Sequence, residues 1–380
     1  MTDSGSLEKK DKAKICFVIP RAYQYFFPGI KPSGGGAEKQ CYLLAKEIST
    51  YQNVELHFCL ADFGQENKIT EGGIVFWKIH QLTDNKLIAL RKITKALRKI
   101  RADVYIFRSA NTALLPLSFF IKRVLKKKVL YMIASDSEID FVPLKRKSGW
   151  LTALMMKMTY QYVDFLSVQN KNQFNAFKKK RTENAVLLLP NSIQPQPVKS
   201  TIESVRNTVL WVGRLTPIKQ VEVLLQLAKK FPDEMFIMIA PDVPEHKRYG
   251  QNLKTETKKI KNIKYIPYVE SDKIFEFYED AKIYLITSER EGFSNTMMEA
   301  MAAQCAVLSL RVNPNDIFTG GENGLCANGD EDLFEDLFQQ SLNDNDFAKN
   351  LGVNAQNYIF KYHDLKTNSQ LLVSFLNNRQ

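Results

Sequence analysis

What most limits the fold of this chain is a rhythm. Short β-branched or apolar runs bounded by turn residues alternate with stretches of helical periodicity, at Lys14 to Ile19, Val54 to Leu60, Ile74 to Ile79, Asp103 to Phe107, Lys128 to Ile133 and Phe165 to Val168 for strands. Glu38 to Ile48, Leu87 to Ile100 and Trp150 to Tyr162 read as the helices between them. Strand, helix, strand in that order needs a crossover connection, so the pattern predicts parallel sheets covered by helices on both faces. The rhythm halts once, at Pro190 to Arg206, where Pro190, Pro195 and Pro197 can continue neither a central strand nor a helix. It restarts with strands at Thr208 to Val212, Met235 to Ile239, Ile263 to Ile266, Ile283 to Ile286 and Ala306 to Leu310, and is helical beyond Asp330.

A chain of 380 residues exceeds the size at which one core keeps growing. The expected architecture is therefore α/β, two doubly wound Rossmann-like domains facing each other across a cleft lined by the C-terminal ends of their strands. Only the polar start, Met1 to Ala13, reads as a loose tail. No apolar run is long enough to span a bilayer and no secretory signal opens the chain, so a cytoplasmic location is expected.

Five cysteines, Cys16, Cys41, Cys59, Cys305 and Cys326, are odd in number and widely spaced, and the four histidines have no second ligand at metal-like spacing. Neither a disulfide framework nor a metal site is predicted. The net charge of +12 points to anionic partners. From Lys86 to Lys128 thirteen Lys or Arg face a single acidic residue, Asp103. On the helix from Leu87 to Arg101, apolar Leu90, Ile93, Leu97 and Ile100 share one face while Arg91, Lys92, Lys95, Arg98, Lys99 and Arg101 cover the rest. Two readings follow: a core-packed helix with a solvated face, or contact with anionic lipid headgroups at the inner membrane face.

Three motifs carry chemistry. Gly34, Gly35 and Gly36 precede a helix, where glycines either form a flexible turn or leave N–H groups open to a phosphate or sugar. Arg214 and Lys219 flank the helix start marked by Pro217, after the first strand of the second half. They are either solvated surface charges or a pair that stabilises a leaving diphosphate. The segment from Ser288 to Ala302 places Glu291 in a turn, Ser294 as N-cap, and Glu299 about one and a half turns into a helix. The N–H groups of Asn295, Thr296 and Met297 are candidates for phosphate, Glu291 for a sugar hydroxyl, and the Glu299 carboxylate for a ribose diol.

These features together resemble the family-4 glycosyltransferases of the GT-B fold. The resemblance rests on the glycine loop, the Gly213-Arg214-Leu215 to Lys219 segment, Pro190-Asn191, and the two glutamates eight apart at Glu291 and Glu299. It implies a retaining hexosyltransferase that takes sugar from a nucleotide diphosphate carrier, with UDP as the expected nucleotide. The acceptor would be a glycan or a lipid-linked species of cell-surface polysaccharide synthesis. Arg214, Lys219, Glu291 and Asp136 are then the catalytic candidates, and Gly35, Gly36, Phe293, Ser294, Asn295, Thr296 and Glu299 the donor-binding ones. Asp136 stands where many members carry a His after the strand at Lys128 to Ile133, and is read either as its replacement or as a plain loop residue. Lys219-Gln220 stands where many have Lys-Gly.

No metal and no cofactor is implied. The resemblance divides the chain into an acceptor-side domain at 1–195, a nucleotide-sugar domain at 196–362, and a helix at 363–380 that packs back on the first. A nucleotide-sugar epimerase of the same fold is the alternative. A nucleic-acid partner is not expected, because charge alone favours it and aromatic stacking platforms are absent.

Overall fold

The computed structural model describes residues 12–27, 29, 34–139, 141–178, 185–195, 206–270 and 273–378. The expected tail through residue 11 and the linker residues 196–205 lie outside the described residues. The chain divides into two compact units: Met1–Ser192 with Leu365–Gln380, and Ile193–Asp364.

Unit 1 runs β1 (Ala13–Val18), α1 (Tyr23–Phe26), α2 (Gly36–Ile48), β2 (Val54–Leu60), β3 (Lys68–Glu71), β4 (Ile74–Lys78), α3 (Lys86–Ile100) and β5 (Val104–Arg108). It continues with α4 (Leu114–Phe119), β6 (Lys128–Met132), α5 (Phe141–Ser148), α6 (Trp150–Tyr162), β7 (Phe165–Val168), α7 (Lys171–Lys178) and β8 (Val186–Leu188). The sheet order is β3-β4-β2-β1-β5-β6-β7-β8, and β3, turned by Gly72 and Gly73 at positive φ, is its antiparallel edge. The sequence pattern misses β3 and β8 because four half-polar residues and three apolar ones are too short for a periodic signal.

Side chains alternate across this sheet, and both faces are apolar. Ile15, Phe17, Leu56, Phe58, Val104 and Ile106 pack under α2, whereas Cys16, Val18, Tyr105, Phe107, Val129 and Tyr131 pack under α3, α4 and α6. A strand buried on both sides must read as a continuous apolar run, which is how these strands were legible.

Unit 2 runs β9 (Thr208–Val212), α8 (Val221–Lys230), β10 (Met235–Ile239), α9 (Lys247–Thr257), β11 (Ile263–Ile266), α10 (Ile274–Asp280) and β12 (Ala281–Ile286). Then come α11 (Asn295–Ala302), β13 (Ala306–Ser309), β14 (Leu325–Cys326), α12 (Glu331–Asn343) and α13 (Asn345–Tyr362). The last helix, α14 (Leu365–Asn377), belongs to unit 1, where Leu365, Leu372, Val373 and Leu376 join the core beside α2.

The second sheet is parallel, in the order β11-β10-β9-β12-β13-β14. Its strand order reverses between β9 and β12, and in unit 1 the same reversal falls between β1 and β5. Chains leave these adjacent strands toward opposite faces, which opens a crevice at their carboxyl ends. The loops after β9 and β12 carry the strongest motifs of the sequence.

Candidate functional site

In unit 2 the loop after β9 begins with Gly213, where a Cβ would stand 2.8 Å from the Trp211 ring. The glycine lets the buried indole lie across the strand end and donate from Nε1 to Thr287 Oγ1 at 2.9 Å. Thr287 in turn donates to the Lys219 carbonyl at 2.6 Å, and Glu289 N–H donates to the Ile218 carbonyl at 2.9 Å. Two of these hydrogen bonds tie the two loops of the switch point together, and the third ties β9 to the loop after β12. The buried Thr287 hydroxyl both accepts and donates, so the loops are held rather than merely adjacent.

On this frame Lys219 Nζ meets Glu291 Oε1 at 2.7 Å, while Ser288 Oγ donates to Glu291 Oε2 at 3.1 Å. The pair is about four-fifths buried on both sides. An ammonium has three N–H donors, so Lys219 retains hydrogen-bonding capacity after pairing. Arg214, by contrast, is exposed and has no ion-pair or side-chain hydrogen-bond partner among the described residues. Gly292 faces open space: a Cβ there would meet nothing within 4 Å, and its φ is not positive. Neither backbone strain nor packing within the chain requires a glycine at that position.

Ser294 caps α11, accepting from Met297 N–H at 3.3 Å, and its hydroxyl lies 3.2 Å from Thr296 Oγ1. The Met297 N–H is therefore not open to phosphate as the sequence reading supposed, because the cap residue satisfies it first. Glu299 is buried within α11. Tyr284, on β12, sits among these groups. Burial pushes its hydroxyl well above the usual phenol range, Thr296 opposes this by hydrogen bonding, and the charges of Glu291 and then Glu299 push the same way as burial. Both glutamates are therefore in electrostatic reach of one buried ring. Phe293 is buried with its ring centroid 4.3 Å from that of His363.

Gln220 adopts left-handed φ of 45° and its Oε1 accepts from Arg311 Nη1 at 2.7 Å. The glycine many relatives of the resembled family place here would enter that conformation without strain; here the Arg311 hydrogen bond offsets it.

In unit 1 the N–H groups of Gly34 and Gly35 in the glycine loop are already engaged. Gly34 exchanges hydrogen bonds with the Gln24 amide at 3.1 and 3.3 Å, and Tyr25 Oη donates to the Gly35 carbonyl at 3.0 Å. The Gly35 N–H is taken by Glu38 Oε2 at 2.8 Å, so the expectation of open N–H groups at Gly34 and Gly35 is corrected. Glu38, third in α2, reaches back over the helix start as in a capping box. A Cβ on Gly34 would stand 2.6 Å from the Arg21 carbonyl oxygen, which explains that glycine by close backbone approach. Gly36 is the first residue of α2.

Asp136 is exposed, and its Oδ1 accepts from Gln173 Nε2 at 2.7 Å and Asn170 Nδ2 at 3.1 Å. It lies in unit 1, apart in sequence and in unit from Arg214, Lys219 and Glu291. Three residues near the carboxyl ends of β5 and β6 were not singled out from sequence. Arg108 is buried and donates to Asn191 Oδ1 at 2.7 Å; Ser109 follows it at φ 75°; and buried Glu138 accepts from Tyr131 Oη at 2.5 Å. A charged residue ending the apolar run Val104 to Phe107 was the available signal for Arg108. Among the described residues no group of three His, Cys, Asp or Glu could hold a metal ion.

Comparison with known proteins speaks to the fold and to the second half of the chain. Residues 192–358 match the family model described as Glycosyl transferases group 1. An uncharacterized glycosyltransferase of Haemophilus influenzae is 28% identical over 172 residues, 42% of this chain and 46% of its own. The chain spans about half the length of the curated relatives it matches, 46% and 52%. Among solved structures, sucrose-phosphate synthase from Thermosynechococcus elongatus has a TM-score of 0.78 at 16% identity, covering 97% of this chain and 99% of that one. HepE from Anabaena, solved in complex with UDP and glucose, has a TM-score of 0.72 at 13% identity, covering 96% and 100%. At such identities the likeness is one of fold, and it holds for the whole chain. The protein has the GT-B fold of two Rossmann-like domains, and within it residues 192–358 match the glycosyltransferase group 1 family model.

Proposed function

We propose that the chain is a retaining hexosyltransferase of the family-4 type, moving a hexose from a UDP-linked or similar nucleotide diphosphate sugar to a glycan or lipid-linked acceptor. The observation that carries this reading is the Lys219–Glu291 pair held at the switch point of unit 2, with exposed Arg214 on the same loop as Lys219. A departing nucleotide diphosphate gains negative charge as the glycosidic bond breaks. A fixed ammonium and a guanidinium stabilise that charge where it develops, without reorganising at the moment of reaction. Glu291, oriented by Ser288, is assigned to a hydroxyl of the transferred sugar, and Glu299 to the ribose. Phe293, Ser294, Asn295 and Thr296 form the contact segment between them, and open space at Gly292 leaves room for the sugar.

No side chain in this arrangement is posed as a nucleophile. The reading is displacement from the face the diphosphate leaves, with the phosphate taking the acceptor proton and the protein supplying position and charge. Unit 1 is assigned the acceptor, with Asp136 as its candidate contact, while Gly35 and Gly36 are kept as donor candidates, the N–H of Gly35 being held by Glu38. The work is placed at the cytoplasmic membrane face in polysaccharide synthesis. That solved relatives of the same fold bind UDP and glucose or make sugar phosphates supports the donor class.

The test has two steps. Nucleotide diphosphates and their sugars are screened for a rise in melting temperature, since a ligand at a hundred times its Kd adds about 2.7 kcal/mol to stability. The stabilising donor is then incubated with and without glycan and lipid-linked acceptors, and products are followed by mass spectrometry. Stabilisation by one nucleotide diphosphate and acceptor-dependent transfer with retained anomeric configuration are expected. No stabilisation by any of them overturns the donor assignment, and a new epimer formed from donor alone overturns the transferase.

A further inference from the structure

Helix α6 turns an apolar face to solvent. Trp150, Leu151, Leu154 and Met158 are 61%, 52%, 39% and 49% exposed. Leu151, Leu154 and Met158 recur at helical spacing, so they form one stripe, while Ala153, Met156, Thr159 and Tyr160 fill the opposite, buried face. A surface helix ordinarily spends its outer face on charges. In α6 Lys157 is the sole charged residue. The stripe does not end with the helix. Exposed Phe119 of α4 stacks on Tyr162 at 6.2 Å, and Val124 and Val142 are 53% and 57% exposed.

Cations rim this surface. Lys145 and Arg146 of α5, Lys157 of α6, and Arg123, which donates to Tyr162 Oη at 3.2 Å, are exposed around it. Leu114 to Lys128 and Phe141 to Tyr162 together hold nine Lys or Arg and no Asp or Glu. Of the carboxylates nearby, Asp164 and Asp103 are engaged by Lys122 at 3.1 Å and Lys127 at 2.7 Å, Glu138 is buried beside Tyr160 of α6, and exposed Asp136 is held by Asn170 and Gln173. A second copy docking face to face would set cations against cations, which opposes that association. An anionic lipid surface meets both halves of the pattern. No helix among the described residues is long and apolar enough to cross a membrane, so the contact is interfacial.

The helix singled out in the sequence differs. α3 spends Ile93, Leu97 and Ile100 on the core and offers charge, whereas α6 offers the apolar area that charge alone lacks. We propose that the α6 face of unit 1, with Phe119 and the surrounding lysines and arginines, docks on an anionic bilayer. Trp150, Leu154 and Met158 enter the boundary between headgroups and acyl chains, and the cations meet headgroup phosphates. The proposal rests on exposure and charge in unit 1; it deepens the membrane-face location of the proposed function and does not need the transferase chemistry.

The experiment is co-sedimentation of the full chain with vesicles of phosphatidylcholine and with vesicles rich in phosphatidylglycerol, at low and high salt. Binding to the anionic vesicles, weakened by salt, is expected, with a blue shift of fluorescence from exposed Trp150 that Trp150→Phe abolishes. Combined Trp150→Ser, Leu154→Ser and Met158→Ser should lower the partition roughly tenfold or more at unchanged melting temperature. Arg146→Glu with Lys157→Glu, which leaves the apolar stripe and the fold intact, should lower it by about tenfold or more on anionic vesicles alone. The proposal is overturned if the wild type stays in the supernatant with both vesicle types. It is equally overturned if neither variant changes the partition, or if the serine variant only converts a dimer to monomer. Vesicle binding that persists in a chain without transferase activity would reject the proposed function and leave this surface standing.

Discussion

The two units place polar groups at the carboxyl ends of similar sheets, but they satisfy them differently. In unit 2 charge meets charge, with Lys219 on Glu291 and Arg214 exposed beside the same loop. In unit 1 Asp136 and Arg108 meet neutral amides instead, Asp136 on Asn170 and Gln173 and Arg108 on Asn191, as Arg311 does on Gln220 in unit 2, while Lys78 and Asp62 form an ion pair beside β4 and β2. An amide orients a charge without cancelling it, whereas an ion pair cancels it until a ligand competes. Under the proposed function the difference would let Lys219 trade the Glu291 counter-charge for that of a diphosphate. In unit 1 the amide partners hold Asp136 and Arg108 in fixed positions.

The largest expected effect breaks the charged half. Lys219→Ala should lower turnover about 10²–10³-fold, the usual loss for one group aimed at developing charge, with circular dichroism unchanged. A rate within twofold of wild type would remove unit 2 from the chemistry.

Glycines in the two units sharpen the contrast. Gly34→Ala should destabilise by about 1–3 kcal/mol, because the methyl meets the Arg21 carbonyl, and the measurement is the denaturant midpoint. Gly292→Ala should leave stability within about 0.5 kcal/mol, since nothing in the chain meets the new methyl, yet reduce kcat/KM roughly tenfold by filling the donor's space. Unchanged kinetics would show that the space above Gly292 is not used.

Asp136→Asn keeps the acceptor oxygen that Gln173 and Asn170 hold, so the loop should survive. If unit 1 recognises hydroxyls by geometry, the loss in kcat/KM stays below about tenfold; a loss matching Lys219→Ala would make the charge itself catalytic.

The mildest effect concerns acid. His57 is buried, its Nε2 on Glu55 at 2.8 Å and its Nδ1 accepting from Trp77 Nε1 at 2.9 Å. Burial holds its pKa below the usual imidazole value although Glu55 pulls it up, and His80 is lowered by burial too. The folded state then binds fewer protons than the unfolded one. Stability from these rings is present above about pH 6.5 and is lost as pH falls through that value toward the lowered one. Denaturant midpoints between about pH 7 and pH 5 should fall, and His57→Gln should flatten the fall. Equal slopes in the two proteins would exclude His57 as its source.

Much of the fold was legible because parallel strands buried on both faces must be continuous apolar runs. β2, β7, β9, β10 and β11 have the bounds that the residue pattern predicts. The βα rhythm, the proline break and the glutamate block near α11 are local properties of the chain, set by backbone geometry and side-chain type. Only the tertiary structure decided who satisfies whom. It folded Glu38 back on Gly35, gave the Met297 N–H to Ser294, linked Trp211 through Thr287 to Lys219 across 68 residues, and left the outer face of α6 uncovered. Such pairings depend on which loops a sheet's strand order brings together. A sequence states hydrogen-bonding capacity and apolar area, whereas packing alone determines how much of either remains for a ligand or a surface.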